Sequence, residues 1–410
     1  MRIGILGTRG VPPRYGGFET FVGELSRRLV ARGHEVTVYC RPSVIPSVSE
    51  GPGGTGGAHR HELGATRPTP IPRYARDDTW HGVRRIVLPA IRHKYFETVS
   101  HTLLSALDAL RRDFDVVLLC NAANAFVLPL LRAARIPVAI NVDGIEHRRR
   151  KWNVLGRAVY AAGESFSVRF ASRLIADAAV IADYYREVHH IEPVMIPYGA
   201  EFPEEEDSDV VKRLGLTRGG YLLYVSRFEP ENNPLEVVKA YERFAVGGWP
   251  LTERSANGQR PTANGEPLVM VGSAPYAADL GAELRSHAGD RILFPGAIYG
   301  QDYRTLQRSA LVYIQATEVG GTHPAMIEAM ASGGCVVALD TPENREVGGE
   351  AVGYFRLRPH ETLSGILREC VASPELCERM RRAARARAAA LYSWERVTEA
   401  YERLFAELAG

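Results

Sequence analysis

The sequence predicts an α/β protein built from two consecutive units, and three observations carry that prediction. Short apolar runs bounded by glycine or proline alternate with longer runs of helical, 3.6-residue periodicity. The alternation halts at an acidic stretch, EFPEEEDSD (Glu201–Asp209), and then resumes. At 410 residues the chain also exceeds what a single hydrophobic core ordinarily serves.

Each element follows in order. RIGIL is a short buried strand, and GTRGVPPRYGG is the Gly/Pro loop after it. FETFVGELSRRLVARG places Phe18, Phe21, Val22, Leu25 and Leu29 at helical spacing and stops at Gly33. HEVTVYC is the next strand, with others predicted at Asp115–Cys120, Ile136–Val142, Arg173–Ala176 and Pro193–Pro197. In the second half YLLYVS, PLVMVG, RILFPG, ALVYIQ and CVVALD are strands, separated by helical runs such as PLEVVKAYERFA. The chain ends on an amphipathic helix, YSWERVTEAYERLFAELAG, capped by Ser393. Residues 43–79 and 247–266 are crowded with Gly, Pro, Ser and Thr and are predicted to be mobile insertions.

Composition excludes several classes. No apolar run reaches 18 residues, and the first apolar run is too short for a signal peptide, so a cytoplasmic protein that does not span the membrane is expected. Cys40, Cys120, Cys335, Cys370 and Cys377 form no C-x-x-C pair and read as buried reduced thiols. Charge is uneven: residues 1–195 hold 27 Lys and Arg against 18 Asp and Glu, the remainder 23 against 30. A basic half suits either an anionic surface or a merely solvated face. Nothing points to nucleic acid. His59 and His61 lack the acidic or cysteine companions of a metal site. The D-x-D at Asp207-Ser208-Asp209 reads as solvated linker.

Chemistry concentrates in three places. After the first strand come Gly7, Gly10, Gly16 and Gly17, either a wall near a ligand's phosphate or sugar or plain turn residues. Their order is not G-x-G-x-x-G, and the second strand ends in Cys40-Arg41 where an acid for a ribose would stand, so a dinucleotide oxidoreductase is disfavoured. Arg227 follows a strand in YVSRFEPENN, placed for an anionic diphosphate or for pairing with Glu229 or Glu231. In TEVGGTHPAMIEAMASGG the amides of Gly320, Gly321 and Thr322, with the positive end of a helix starting near Pro324, can neutralise a diphosphate. Glu328, one turn into that helix, can accept both hydroxyls of a ribose. Together these fit a nucleoside diphosphate.

On these residues the second half resembles the retaining family 4 glycosyltransferases of GT-B fold, in which two Rossmann-like α/β domains face each other across a cleft. Glu328 matches the second acid of their E-x7-E element; Gly320 stands where the first is usual, and Asn232 where a lysine usually follows the arginine. With GTRGVPPRYGGFETF, VRRIVLPAIRHKYFETVSHTLLS, NVDGIEHRRRKW, RFEPENN and VGGTHPAMIEAM, nearly the whole chain resembles a bacterial rhamnosyltransferase-like group with a characteristic N-terminal domain.

The resemblance implies an acceptor-side domain over 1–199, a donor domain over 200–390 and a C-terminal helix over 391–410 that crosses back. It implies transfer of a sugar, L-rhamnose from dTDP-rhamnose, to a polyprenyl-diphosphate-linked glycan at the inner membrane face, without metal or cofactor. Arg227 and the Gly320–Thr322 amides would hold the diphosphate, with Asn232 and His323 in the same donor set. Glu328 would hold the ribose, Gly296 and Tyr299 would face the base, and Gly16 and Gly17 would close over the sugar. Asp143 and His147 would address the acceptor or transferred sugar, or serve as a helix cap and an exposed histidine. The departures at Gly320 and Asn232 leave two alternatives: another donor (UDP-glucose, UDP-galactose or GDP-mannose), or a non-catalytic relative in a glycan-assembly complex.

Overall fold

The structure, a computed structural model, describes residues 1–13, 16–42, 78–91, 96–142, 144–145, 154–202, 207–246, 265–274 and 277–410. Asp143, His147, His59, His61 and almost all of the two expected insertions lie outside the described residues. The chain forms two compact units. One comprises Met1–Ile140, Arg169–Ser172 and Leu404–Gly410; the other comprises Asn141–Val168 and Arg173–Arg403.

The first sheet contains β1 (Arg2–Leu6), β2 (Glu35–Cys40), β3 (Asp78–Trp80), β4 (Val83–Val87), β5 (Val116–Cys120), β6 (Val138–Asn141), β7 (Arg173–Ala176) and β8 (Val194–Met195). Their order is β3-β4-β2-β1-β5-β6-β7-β8. Strands β1 and β5 are apolar along their length because helices cover both faces of such a sheet. Helix Gly16–Ala31 buries Phe21, Val22, Leu25 and Leu29, as the periodicity requires.

Two strands of this sheet escaped the sequence reading. β3 pairs antiparallel with β4, so Asp78 and Thr79 belong to the sheet and not to the insertion. β4 reads VRRIV, and its central arginines hide it. Arg85 is nevertheless buried: its guanidinium donates to Val11 O at 3.3 Å and pairs with Asp78. A buried charge needs such partners.

The second sheet contains β9 (Leu222–Val225), β10 (Leu268–Val271), β11 (Ile292–Gly296), β12 (Val312–Gln315), β13 (Val336–Leu339) and β14 (Gly353–Phe355). It runs β11-β10-β9-β12-β13-β14, with every strand pair parallel. Its core unites Leu222, Tyr224, Met270, Val312, Ile314 and Val337. All five cysteines are free and buried. Cys335, Cys370 and Cys377 converge in this core with their sulfurs within 4.8 Å of one another, and the Cys377 thiol donates to Cys370 O at 3.1 Å. They pack there as small apolar side chains.

The acidic stretch is not a solvated linker where it is described. Asp207 pairs with Arg218 and Arg308, Asp209 pairs with Arg213, and Ser208 N donates to Thr305 Oγ1 at 3.0 Å. Three arginines thus pair with the D-x-D acids. The last helix, Trp394–Ala409, begins as expected, with Arg396 N donating to Ser393 Oγ at 3.4 Å. Among the described residues no helix is long and apolar enough to cross a membrane.

Candidate active site

Strands β9, β10 and β11 step outward in one direction and β12, β13 and β14 in the other, so the chain order reverses between the neighbours β9 and β12. A reversal of this kind opens a crevice beyond the strands' carboxyl ends, where ligands of open α/β sheets bind. Two segments emerge there, residues 226–233 after β9 and 316–323 after β12.

Arg227 leads the first segment. Its side chain is 57% exposed, and Nη1 lies 3.5 Å from Glu229 Oε1, a loose pair that leaves the guanidinium largely in solvent. The two asparagines behind it act on the backbone. Asn232 Nδ2 donates to Arg227 O at 2.7 Å, and the Asn232 carbonyl accepts from Tyr224 OH at 2.6 Å. Asn233 takes a left-handed conformation (φ 54°), which asparagine tolerates, and Nδ2 donates to Ala316 O at 2.9 Å. Glu318 N then donates to Glu231 O at 2.9 Å. The segments after β9 and β12 are thereby stitched together. Asn232 thus holds the backbone beneath Arg227. Gly272, just past β10, completes the bend: a Cβ there would lie 1.9 Å from Ser226 O.

The loop after β12 departs from expectation at one amide. Thr322 N donates to Asp177 Oδ2 at 3.1 Å, and the Thr322 hydroxyl lies 3.0 Å from that same oxygen and 3.1 Å from Asp177 O. The Thr322 amide is therefore turned to a protein carboxylate and not toward a bound diphosphate. Gly321 is required there because a Cβ would come within 2.3 Å of Asp177 Oδ1. Gly320 faces a different neighbour, since its Cβ position lies 2.8 Å from His323 Cε1. The imidazole occupies the space that a glutamate at 320 would need. Gly144, the residue after Asp143, lies alongside this loop, its Cβ position 3.9 Å from Gly321 N.

Asp177 itself is buried, and its Oδ1 has no hydrogen-bond partner among the described residues. Burial raises its carboxyl from 3.8 to about 6; the Thr322 hydrogen bonds oppose the rise, and the charge of Glu346 adds to it. The sign follows. A carboxyl whose folded-state value is raised contributes nothing adverse below its unfolded value and costs stability as pH climbs toward the folded value. Asp177→Asn is therefore expected to gain stability relative to the wild type between pH 4 and 6, by up to ~3 kcal/mol, with the difference constant above about pH 7. Paired melting curves across that range measure it.

Helix Pro324–Ala331 carries Glu328, whose Oε2 accepts from Tyr303 OH at 2.8 Å. Gln307 Nε2 donates to the same phenol oxygen at 2.8 Å and to Ala325 O at 3.1 Å. Burial and the Glu328 charge hold the Tyr303 phenol well above its ordinary value, so it stays protonated and keeps donating. Tyr303 and Gln307 stand four apart on helix Gly300–Ser309 and aim Glu328; sequence reading missed both. Their i, i+4 spacing of polar groups on one helix face was the available signal. Gly296 ends β11 and Tyr299, 62% exposed, precedes that helix, two strands from β9.

Gly16 and Gly17 open helix Gly16–Ala31 of the other unit. Gly7 and Gly10 are explained by packing: both have positive φ, and added Cβ atoms would meet Cys120 O at 2.5 Å and Cys40 Sγ at 2.4 Å.

Comparison with known proteins agrees with this architecture. Residues 16–199 match the glycosyl transferase 4-like domain, and residues 210–387 match glycosyl transferases group 1. No curated protein matches the sequence significantly. Among solved structures, the sucrose-phosphate synthase of Thermosynechococcus elongatus superposes with a TM-score of 0.75 at 18% identity, covering 99% of this chain and 98% of that one. A UDP-forming α,α-trehalose-phosphate synthase from Burkholderia xenovorans, in complex with glucose-6-phosphate, gives 0.72 at 12% identity over 100% of both chains. Anabaena HepE in complex with UDP-glucose gives 0.70 at 15% identity, over 98% of this chain and 99% of its own. With both domain families in sequence and the fold shared over whole chains, the protein belongs to the GT-B glycosyltransferases, its glycosyl transferase 4-like domain preceding a group 1 domain.

Proposed function

We propose that the protein transfers a hexosyl group with retention, L-rhamnose from dTDP-rhamnose, to a polyprenyl-diphosphate-linked glycan, and does so without a metal. In this reading residues 1–199 present the acceptor and 200–390 the donor. The observation that carries it is a solvent-facing Arg227 after β9 together with a tyrosine-aimed Glu328 on the helix after the neighbouring strand β12. A fork of guanidinium donors suits a diphosphate, and an oriented carboxylate suits ribose hydroxyls. The structural relatives include one bound to UDP-glucose, which supports a nucleotide-sugar donor.

The chemistry follows from charge. Cleavage between the anomeric carbon and the diphosphate oxygen builds positive charge on the sugar ring and negative charge on the leaving group. Arg227 stabilises that leaving charge. The acceptor hydroxyl attacks from the side the diphosphate departs, and its proton passes to the departing phosphate oxygen. Asp143 and His147 orient the acceptor.

The test is transfer from dTDP-rhamnose, UDP-glucose, UDP-galactose and GDP-mannose to a lipid-diphosphate glycan, with EDTA throughout. Turnover with dTDP-rhamnose is expected. Turnover with another donor reassigns the sugar and keeps the mechanism. Failure of all four donors, with no shift in melting temperature from any nucleotide, would overturn the reading in favour of a non-catalytic role.

A further inference from the structure

Helix Phe96–Ala109 is built inside out. Its exposed residues are all large and apolar: Phe96 at 57%, and Val99, Leu103, Leu104 and Leu107 at 38–43%. Its buried residues are polar or small: His101, Thr102, Ser105, Ala106 and Ala109. An ordinary amphipathic helix reverses this arrangement.

The inner side is locked. His101 Nε2 lies 3.0 Å from Cys40 O, the Thr102 hydroxyl donates to Asn124 Oδ1 at 2.8 Å, and the Ser105 hydroxyl donates to His101 O at 2.8 Å. Burial depresses His101 to about 4, so the ring is neutral and Nε2–H donates to the carbonyl. Rolling the helix to hide its leucines would break the two buried hydrogen bonds that leave it, to Cys40 O and Asn124 Oδ1, and strand their groups, each a costly loss. The fold therefore fixes the apolar row outward.

Nothing charged interrupts that row. Glu97 pairs with Arg41 at 3.2 Å. Asp108 accepts from Tyr39 OH at 2.8 Å and pairs with Arg112 at 2.5 Å. Both acids are thus neutralised by groups from beside the helix. Phe96, Val99, Leu103 and Leu107 form one stripe about 17 Å long, and Ile91, 60% exposed, precedes it. A contiguous exposed stripe of this kind marks an interaction surface.

We propose that this stripe docks the protein on an anionic lipid bilayer, lying in the interface with its leucines in the acyl boundary. Charge selects this occupant over a second copy of the chain. Residues 1–195 carry an excess of nine cationic side chains, 27 against 18, a net charge that favours an anionic surface over a second, equally cationic copy. A single apolar stripe with neutralised acids, carried by the net cationic half of the chain, is the pattern of an interfacial helix. The assignment deepens the lipid-linked acceptor reading and rests on it for the choice of a bilayer.

The full chain is tested by sedimentation with phosphatidylglycerol-containing vesicles and with phosphatidylcholine vesicles, without donor or acceptor present. Wild type is expected to pellet with the anionic vesicles and to release as salt rises. Leu103→Ser/Leu107→Ser is expected to lose partitioning by about tenfold or more, and Phe96→Ser by less. These positions face outward, so the melting temperature should be retained. Equal partitioning of wild type and variants, or no pelleting of wild type, overturns the proposal. So does a wild-type dimer in light scattering that the double variant dissolves, which assigns the stripe to a second copy. Vesicle binding is read independently of catalysis: its failure leaves the donor assay standing, and failure of transfer leaves the docking result standing.

Discussion

Arg227→Ala is expected to lower kcat/KM for sugar transfer by about 10²–10³ while moving the melting temperature by less than about 2 °C. The catalytic loss is that of a charged donor aimed at a leaving group whose negative charge grows in the transition state. The small stability effect follows from position: the side chain is 57% exposed and the acid it pairs with, Glu229, lies 3.5 Å away. Exposed pairs of that kind contribute about 0–1 kcal/mol. Arg227→Lys should recover part of the rate, because an ammonium restores the charge but not the fork. Initial rates and melting curves on the three proteins decide it. A large drop in melting temperature for Arg227→Ala, without a selective loss of rate, would make the residue structural.

Glu328→Ala is expected to reduce kcat/KM by about 10²–10³, through the loss of charge-assisted hydrogen bonds to the donor. Unlike Arg227→Ala it should also destabilise, by about 1–3 kcal/mol, because the buried Tyr303 hydroxyl loses its acceptor. The two effects separate in a double variant. Glu328→Ala/Tyr303→Phe removes the stranded hydroxyl and should regain stability without regaining activity. If activity returns together with stability, Glu328 is only a packing partner of Tyr303.

How much of this was legible in the sequence depended on whether a residue's neighbours were local. Eleven strands and the C-terminal helix announced themselves through apolar runs and one serine cap. β14 was too short to carry a pattern, and β4 was disguised by Arg84 and Arg85. Helix Phe96–Ala109 could not be oriented from its periodicity, since the ordinary rule points its leucines inward. At the site, Arg227, Glu328 and the Gly320–His323 turn were readable because chemistry and spacing coincide over a few residues. Asp177 was not: it stands 145 residues from Thr322, and only the fold brings them together. Asn232 stood where a lysine was expected, and in the structure it and Asn233 tie backbone carbonyls.

The composition of the two units constrains engineering. The chain passes from one to the other at residues 140–141, 168–169, 172–173 and 403–404. A single nick in the backbone therefore cannot release either unit intact. Chimeras that exchange one half of this enzyme for that of another glycosyltransferase, cut only near residue 200, will leave Leu404–Gly410 attached to the wrong parent. Such hybrids should be designed with the terminal segment Leu404–Gly410 taken from the same parent as Met1–Ile140.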